Sequence, residues 1–353
     1  MSTFRMIFLS SLLSGIVAIN SSAQTCDCKK EVDFLVQAYL NDYAGMSDFK
    51  AAHPNYQREL NKISKKAGKT TSIEKCHKII GSLIAYINNG HVVYGATQEN
   101  PRHADLEKPK ADEPLEPELK FIDSNTVLIT IKSADLYYKS YLDSLIETNL
   151  VRLQQTDHFI IDVRGNGGGG DAMFDALIPF LYTSPFIIHM AQFWTSANNV
   201  RMFEDLLSNP HLTEQDRTLV KNIVTKAKEN SNAFIDISEN QVDTIYLDKV
   251  MKYPQAVSVL IDKGCKSATE QFLLLATQSS KVKIFGKENS GGALDYSNLN
   301  FVVTPSGYWY ASVPTTRSLR LPENPVDPNG IHPDVIIPKK EKDVIGYVAK
   351  TRI

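Results

Sequence analysis

The spacing of hydrophobic residues changes along the chain and divides it into two regions. Between residues 29 and 95, apolar residues recur every three or four positions, which predicts helices. The clearest run follows Thr71 and Glu74, a capping-box pattern, and stops before Gly90, a residue suited to a helix C-terminus. Its apolar positions are Ile79, Ile80, Leu83, Ile84 and Ile87.

From residue 119 onward, short β-branched runs alternate with amphipathic stretches. The runs predict strands at 126–131, 159–163, 256–262 and 281–285, and the stretches predict helices at 135–153, 169–182 and 267–278. Residues 300–313 predict a hairpin around the turn Pro305-Ser306-Gly307. Strands that alternate with helices are typical of an α/β fold with parallel strands buried on both faces.

Shifts in composition predict four segments. Residues 1–23 have the pattern of a secretory signal, with Arg5, an apolar stretch from Met6 to Ile19 and a small residue at Ala23. A helical subdomain at 24–97, a proline-rich charged connector at 98–118 and a core domain at 119–353 follow. The core contains a polar, mostly helical insertion at about 190–250.

The signal pattern implies export to the periplasm or the cell exterior. The apolar stretch is broken by serines and Gly15 and is short for a bilayer span, so we expect no stable membrane insertion after cleavage. In an oxidising compartment, either Cys26 or Cys28 can bond Cys76 and fix the mature N-terminus. A zinc site is the weaker interpretation, because these cysteines lack a zinc-type ligand set.

Composition excludes some classes of partner. The net charge is −2, and no Lys/Arg-rich run interleaved with aromatic residues occurs, so a nucleic-acid partner is not indicated. Nothing in the sequence fixes the oligomeric state.

The segment "FIIDVRGNGGGGD" (159–171) places four consecutive glycines shortly after a buried strand. Gly165, Gly167 and Gly170 match G-x-G-x-x-G, but the acid expected about 20 residues later for a ribose hydroxyl is missing. No Lys-Ser/Thr follows the glycines either, which argues against a Walker loop. A second use for bare N–H groups is to stabilise a developing oxyanion.

A second strand–turn–helix segment, "VLIDKGCKSATEQF", carries Ser267 at its turn. A serine there can present its hydroxyl at the carboxyl end of the sheet, with the N–H of Ala268 beside it. On the local pattern alone, the simpler interpretation is a helix cap, since Ser267 and Glu270 also form a capping box.

Three segments together resemble the tail-specific, or C-terminal-processing, serine peptidases. They are "FIIDVRGNGGGGDAM", "CKSATEQF" and "YINNGHVVY", and "KIFGKENSGGALDYSN" and "NPVDPNGIHPDVIIP" add to the likeness. The resemblance covers roughly 76–95 and 119–338. It implies an α/β (α+β) fold with a crotonase/ClpP-like ββα spiral core behind the N-terminal helical subdomain.

The resemblance also implies a serine endopeptidase that acts on polypeptides through an acyl-enzyme, without a metal or an organic cofactor. Ser267 matches the nucleophile. The position of the lysine base used by one branch is Gly292 here, so the match is to the tricorn-core and retinoid-binding-protein-like branch, whose histidine corresponds to His91. The late acidic residue of that branch corresponds to Asp327. The implied oxyanion donors are the N–H groups of Ala268 and of Gly167 or Gly168.

Several other residues are expected to support the site or to compete for a role in it. Asp162 and Arg164 are expected to fix the glycine loop by ion pairing, Trp194 is a candidate to line the cleft, and His332 is the one rival to His91. Asn89 and Val92 depart from the acid and threonine of the resembled histidine segment, and both can alter the orientation of His91.

Two alternatives stay open. One is a catalytically weak or inactive member that binds an apolar ligand or peptide, and the other is a crotonase-type acyl-transfer enzyme. Roughly 30 residues separate His91 from Phe121, whereas a PDZ module needs about 90. Tail recognition of the usual kind is therefore not expected.

Overall fold

The computed structural model describes residues 25–97, 115–208 and 214–351. The predicted signal segment and most of the predicted connector lie outside these ranges. The α-helices of the described residues are α1 (Cys28–Asp42), α2 (Met46–Ala52), α3 (Tyr56–Ala67), α4 (Ile73–Ile87), α5 (Lys139–Leu153), α6 (Ile178–Leu181), α7 (Ala197–Leu206), α8 (Glu214–Glu229), α9 (Ala268–Ala276) and α10 (Val344–Lys350).

The strands of the same residues form two main sheets and a two-stranded ribbon. They are β1 (Tyr94–Ala96), β2 (Glu118–Phe121), β3 (Thr126–Thr130), β4 (His158–Asp162), β5 (Phe186–His189), β6 (Ala191–Trp194), β7 (Phe234–Asp236), β8 (Val242–Ile245), β9 (Ala256–Ile261), β10 (Val282–Gly286), β11 (Tyr296–Val303), β12 (Trp309–Ser318) and β13 (Val335–Ile336).

The first sheet has the strand order β13-β10-β9-β4-β3-β2. Its strands are parallel except for the edge pair β2–β3, which is antiparallel. Every residue of β4 is buried, because helices cover both faces of the sheet, as the continuous apolar run predicts. The parallel α/β prediction is confirmed.

The second sheet is antiparallel and is built around the long strand β12. This strand pairs with β1, β6 and β11, and β7 extends the sheet from β6. The predicted hairpin is therefore present as β11–β12, with longer strands than its sequence pattern indicated. The ribbon β5–β8 and the helices α7 and α8 complete the region predicted as an insertion.

Helices α1–α4 pack against the second sheet, not apart from it. Trp309, Ala311 and Val313 of β12 share one hydrophobic core with these helices. A disulfide between Cys28 and Cys76 joins α1 to α4, with the two Cα atoms 5.4 Å apart. Of the two pairings left open by the sequence, the structure has this one, and Cys26 is a buried free thiol.

Three details of the predicted helices are wrong. The N-cap of α4 is Ser72, whose hydroxyl accepts from the N–H of Lys75, and the left-handed residue at its C-terminus is Asn88 instead of Gly90. Asn tolerates this conformation because its side chain is short and polar. The residues predicted as one helix at 169–182 form a 3-10 helix (Asp171–Leu177) followed by the single-turn helix α6. Pro179 lies in α6 and has no N–H with which to continue the hydrogen-bond pattern of the 3-10 helix.

Within the described residues, no helix is long and apolar enough to span a bilayer.

Candidate active site

Two loops meet at the carboxyl edge of the first sheet because β4 and β9 are adjacent and parallel. The glycine loop (163–170) follows β4, and the serine turn (262–267) follows β9. The N–H of Lys266 donates to the carbonyl of Asn166 at 3.1 Å. A Cβ added to Gly264 would lie 2.6 Å from the Cα of Gly165, so only glycine allows this close approach.

The start of the glycine loop is fixed by two aspartates. The Arg164 guanidinium pairs with Asp162 at 2.7 Å, and the N–H of Gly165 donates to Asp262 Oδ1 at 2.8 Å. The predicted role of Asp162 and Arg164 as loop anchors is confirmed. The loop is therefore held from both strands that carry the site.

Gly168 brings the loop against the serine. Its φ is +101°, and a Cβ there would lie 2.6 Å from Ser267 Cβ and 3.2 Å from the backbone nitrogen of Ala268. The N–H of Gly168 donates to Asn166 Oδ1 at 3.0 Å, so it is already engaged within the loop. Among the described residues, no acceptor is bonded to the N–H of Gly167, Gly169 or Ala268.

Ser267 lies at a strained turn directly before α9. Its φ of 55° and ψ of −124° are unusual for a residue with a side chain, and such a conformation costs about 1–3 kcal/mol. The hydroxyl makes no capping hydrogen bond to the helix. The turn therefore projects a free hydroxyl beside the positive end of the α9 dipole.

Glu270 does not complete a capping box. Its Oε1 accepts from Ser290 Oγ at 2.5 Å and from the N–H of Gly292 at 2.8 Å, and its Oε2 accepts from the N–H of Ala293 at 2.8 Å. The carboxylate is fully buried. Glu270 thus anchors the loop 290–293, and the carbonyl of Ala293 in turn accepts from the N–H of Ser267 at 2.9 Å.

His91 is oriented by a main-chain carbonyl. Its Nδ1 lies 2.6 Å from the carbonyl oxygen of Tyr296. Because a carbonyl only accepts, Nδ1 carries the proton and Nε2 has the free lone pair. Burial chiefly lowers the pKa of His91, and the nearby positive charge of Lys266 lowers it further, against the hydrogen bond to Tyr296.

Asp327 acts on the backbone around His91 and does not touch the imidazole. Its Oδ2 accepts from Asn89 Nδ2 at 3.1 Å, while Asn89 Oδ1 accepts from the N–H of His91 at 3.0 Å. Its Oδ1 accepts from the N–H groups of Leu294 and Asp295. Burial, opposed by these two N–H groups, raises the pKa of Asp327 to about 6.

A cleft of about 880 Å³ lies between the two sheets and contains most of the predicted site. The cleft is lined by Ser267, His91, Gly167, Gly168 and Ala268, whereas Asp327 does not line it. No hydrogen bond joins Ser267 Oγ to His91 within the described part of the chain. Ala293 connects the two residues, because it contacts Gly90 next to His91 and bonds the backbone of Ser267.

Two secondary candidates lie elsewhere. Trp194 donates its indole N–H to the carbonyl of Asn41 at 2.6 Å and packs on Phe234, so it joins helix α1 to the second sheet and does not line the cleft. His332 is exposed and also does not line the cleft. Of the two candidate histidines, His91 lines the cleft with Ser267 and His332 does not; His189 of β5, which was not a candidate, also lines it.

Sequence reasoning missed the carbonyl of Tyr296 and the anchoring role of Glu270. A backbone carbonyl has no sequence signal. Glu270 had one, because a carboxylate inside the apolar helix "ATEQFLLLA" requires buried donors. In the described ranges, no group of three or more His, Cys, Asp or Glu side chains is placed to hold a metal ion.

Comparison with solved structures gives the same architecture at low sequence identity. Mature CPAF aligns with a TM-score of 0.61 and 10% identity, covering 88% of this chain and 92% of CPAF. A candidate peptidase from Parabacteroides merdae aligns with a TM-score of 0.54 and 14% identity over 90% of this chain and 92% of its own. A lipoprotein from Streptococcus agalactiae aligns at 0.50 and 13% over 90% and 95%. No curated protein sequence matches the chain.

Comparison with family models is more specific. The model of peptidase family S41 matches residues 125–337, which include both loops of the site, Ser267 and Asp327. His91 lies before the matched region. The predicted fold class and the predicted enzyme class agree with this match, and the chain belongs to peptidase family S41, a family of serine peptidases.

Proposed function

We propose that this chain is an exported serine endopeptidase in which Ser267 is the nucleophile and His91 the general base. The observation that carries the proposal is the strained Ser267 turn, whose hydroxyl is free of capping bonds and shares a cleft with a histidine in the Nδ1–H form. A structural cap would satisfy the helix N–H groups, and this serine does not.

In the proposed reaction, Ser267 Oγ attacks the carbonyl carbon of a peptide bond while His91 Nε2 takes the hydroxyl proton. The imidazolium then gives that proton to the leaving amine, which leaves an acyl-enzyme ester on Ser267. Water attacks the ester by the same route and restores the free serine. A Ser267–His91 hydrogen bond is expected to form in the substrate complex, as is common when the free enzyme lacks it.

The oxyanion donors in this scheme are the N–H of Ala268 and a free N–H of the glycine loop. Because the N–H of Gly168 is bonded to Asn166, we assign the second donor to Gly167 or Gly169 and give Gly168 a steric role. Asp327 is a positioning residue that holds His91 through Asn89. The main-chain carbonyl of Tyr296 orients the imidazole, the task of an aspartate in many triads.

Export is the second part of the proposal. It is supported by the signal pattern of residues 1–23 and by the Cys28–Cys76 disulfide, a bond that persists in oxidising compartments. The proposal does not include tail recognition, because the segment between His91 and Phe121 is too short for a PDZ module.

Labelling with a fluorophosphonate probe tests the nucleophile. We expect wild type to be labelled and the Ser267→Ala variant to be inert. Ser297→Ala is the matched control, because Ser297 lines the same cleft and bonds Thr316, and its labelling should persist. Digestion of a peptide library tests the base, and activity that survives in His91→Ala would remove His91 from the mechanism. A folded wild type that is inert to the probe would favour the non-catalytic binder.

A further inference from the structure

A second cavity lies beside the catalytic cleft and contains the side chain of Lys266. Its volume is about 510 Å³, and it is lined by Lys263, Lys266, residues 288–291 and residues 328–329. Ser267 lines the catalytic cleft and Lys266 the second cavity. The serine turn therefore directs consecutive side chains into two neighbouring spaces.

The stem of Lys266 lies flat on the loop that Glu270 anchors. A Cβ added to Gly291 would lie 2.5 Å from Lys266 Cγ and 2.8 Å from its Cε. Any larger residue at position 291 would displace the lysine. The N–H of Gly291 also donates to the carbonyl of Cys265 at 2.7 Å, which holds this loop against the turn. The stem of Lys266 therefore packs on Gly291, and the side chain contributes to the lining of the second cavity.

The charge of Lys266 is not compensated. The other lysine of the cavity, Lys263, lies 3.7 Å from the Glu288 carboxylate. Lys266 is half-buried and has no ion pair or side-chain hydrogen bond within the described residues. With two lysines and one glutamate on its lining, the cavity has one excess positive charge.

We propose that this cavity is a subsite for a carboxylate of the peptide substrate, with Lys266 as its cation. The inference rests on the proposed peptidase function and adds a substrate preference to it. Because Lys266 and Ser267 are consecutive, with Cα atoms about 3.8 Å apart, the bound carboxylate belongs within a few residues of the scissile bond. It is supplied either by an Asp or Glu side chain or by the free C-terminus of a short peptide.

Peptide binding to the Ser267→Ala variant tests the subsite without turnover. Fluorescence anisotropy compares one peptide series in which Asp replaces Asn at each position, and a second series that ends in a free acid or an amide. We expect the carboxylate form to bind about tenfold more tightly in one series, the effect of a charge-assisted hydrogen bond. The series that responds identifies the source of the carboxylate.

Variants of the lysine assign the effect. In the Ser267→Ala background, Lys266→Met should reduce the preference to less than about twofold, and Lys266→Arg should retain most of it. Lys266→Glu should instead favour a peptide with Lys at the responding position. The control is Lys283→Met, which removes an exposed lysine of β10 with the same change of net charge and should leave the preference intact.

The proposal is overturned if no carboxylate peptide binds, if neither series shows a preference, or if the preference survives Lys266→Met. Probe labelling of the enzyme with Ser267 intact reports the peptidase function separately. A labelled enzyme with no carboxylate preference would refute the subsite alone, and a preference in a chain that is never labelled would refute the nucleophile alone.

Discussion

Replacing Glu270 by Gln distinguishes the two roles that the serine turn allows for this residue. In a capping box, Gln serves as well as Glu, so the substitution would be neutral. In the structure, the carboxylate instead accepts three hydrogen bonds from Ser290, Gly292 and Ala293. Gln has only one acceptor oxygen, and its amide group must face one of these donors.

The magnitude follows from these bonds. One buried donor is left unpaired, at about 1–3 kcal/mol, and the two remaining bonds change from charged to neutral, at about 1 kcal/mol each. A neutral amide costs less to bury than a carboxylate, so the low end of the sum of these terms applies. The expected loss is about 3 kcal/mol in the free energy of unfolding.

Urea unfolding measures this loss. With a slope of about 3 kcal/mol per M, the midpoint should fall by roughly 1 M. The control is Glu74→Gln, which changes an exposed glutamate in the first turn of α4 and should leave the midpoint unchanged. Probe labelling of Glu270→Gln should also slow, since the loop that bonds the Ser267 backbone loses its anchor. Equal midpoints for the two variants would refute the anchoring role.

Three further outcomes are expected. Gly168→Ala places a Cβ against Ser267 and should slow probe labelling about 100-fold in a protein that still folds, and unchanged labelling would contradict the close approach. The labelling rate should rise with pH, because the neutral form of His91 is the base. The midpoint should lie below the ordinary histidine pKa of 6.5, because burial lowers the pKa of His91. A midpoint at or above 6.5 would count against this assignment. Cys28→Ser should lower the free energy of unfolding by about 4 kcal/mol, which is the loop-closure value for a sequence separation of 48 residues. Cys26→Ser, the control, should not lower it. Mass-spectrometric mapping of a Cys26–Cys76 bond would refute the pairing.

Much of the fold was predictable because its signals are local. The apolar runs of β4 and β9 and the following small-residue turns indicated parallel strands that end at one edge. That edge brings the glycine loop to Ser267, although about 100 residues separate them in the chain. The caps of α4 were predicted incorrectly, because Thr71, Ser72, Asn88 and Gly90 are all plausible end residues and only the final backbone path selects among them.

The site was predictable in its residue types and less so in its contacts. The sequence alone determined which groups can carry the chemistry: a hydroxyl at a tight turn, a histidine after a helix and a run of bare N–H groups. Only the tertiary structure decided that Glu270 holds a loop instead of a cap, that Tyr296 orients His91 and that Asp327 acts through Asn89. The sequence specifies the residue types. A hydrogen-bond partner that is distant in the chain is selected by the distance and direction between the two groups, and these are set only when the sheets pack.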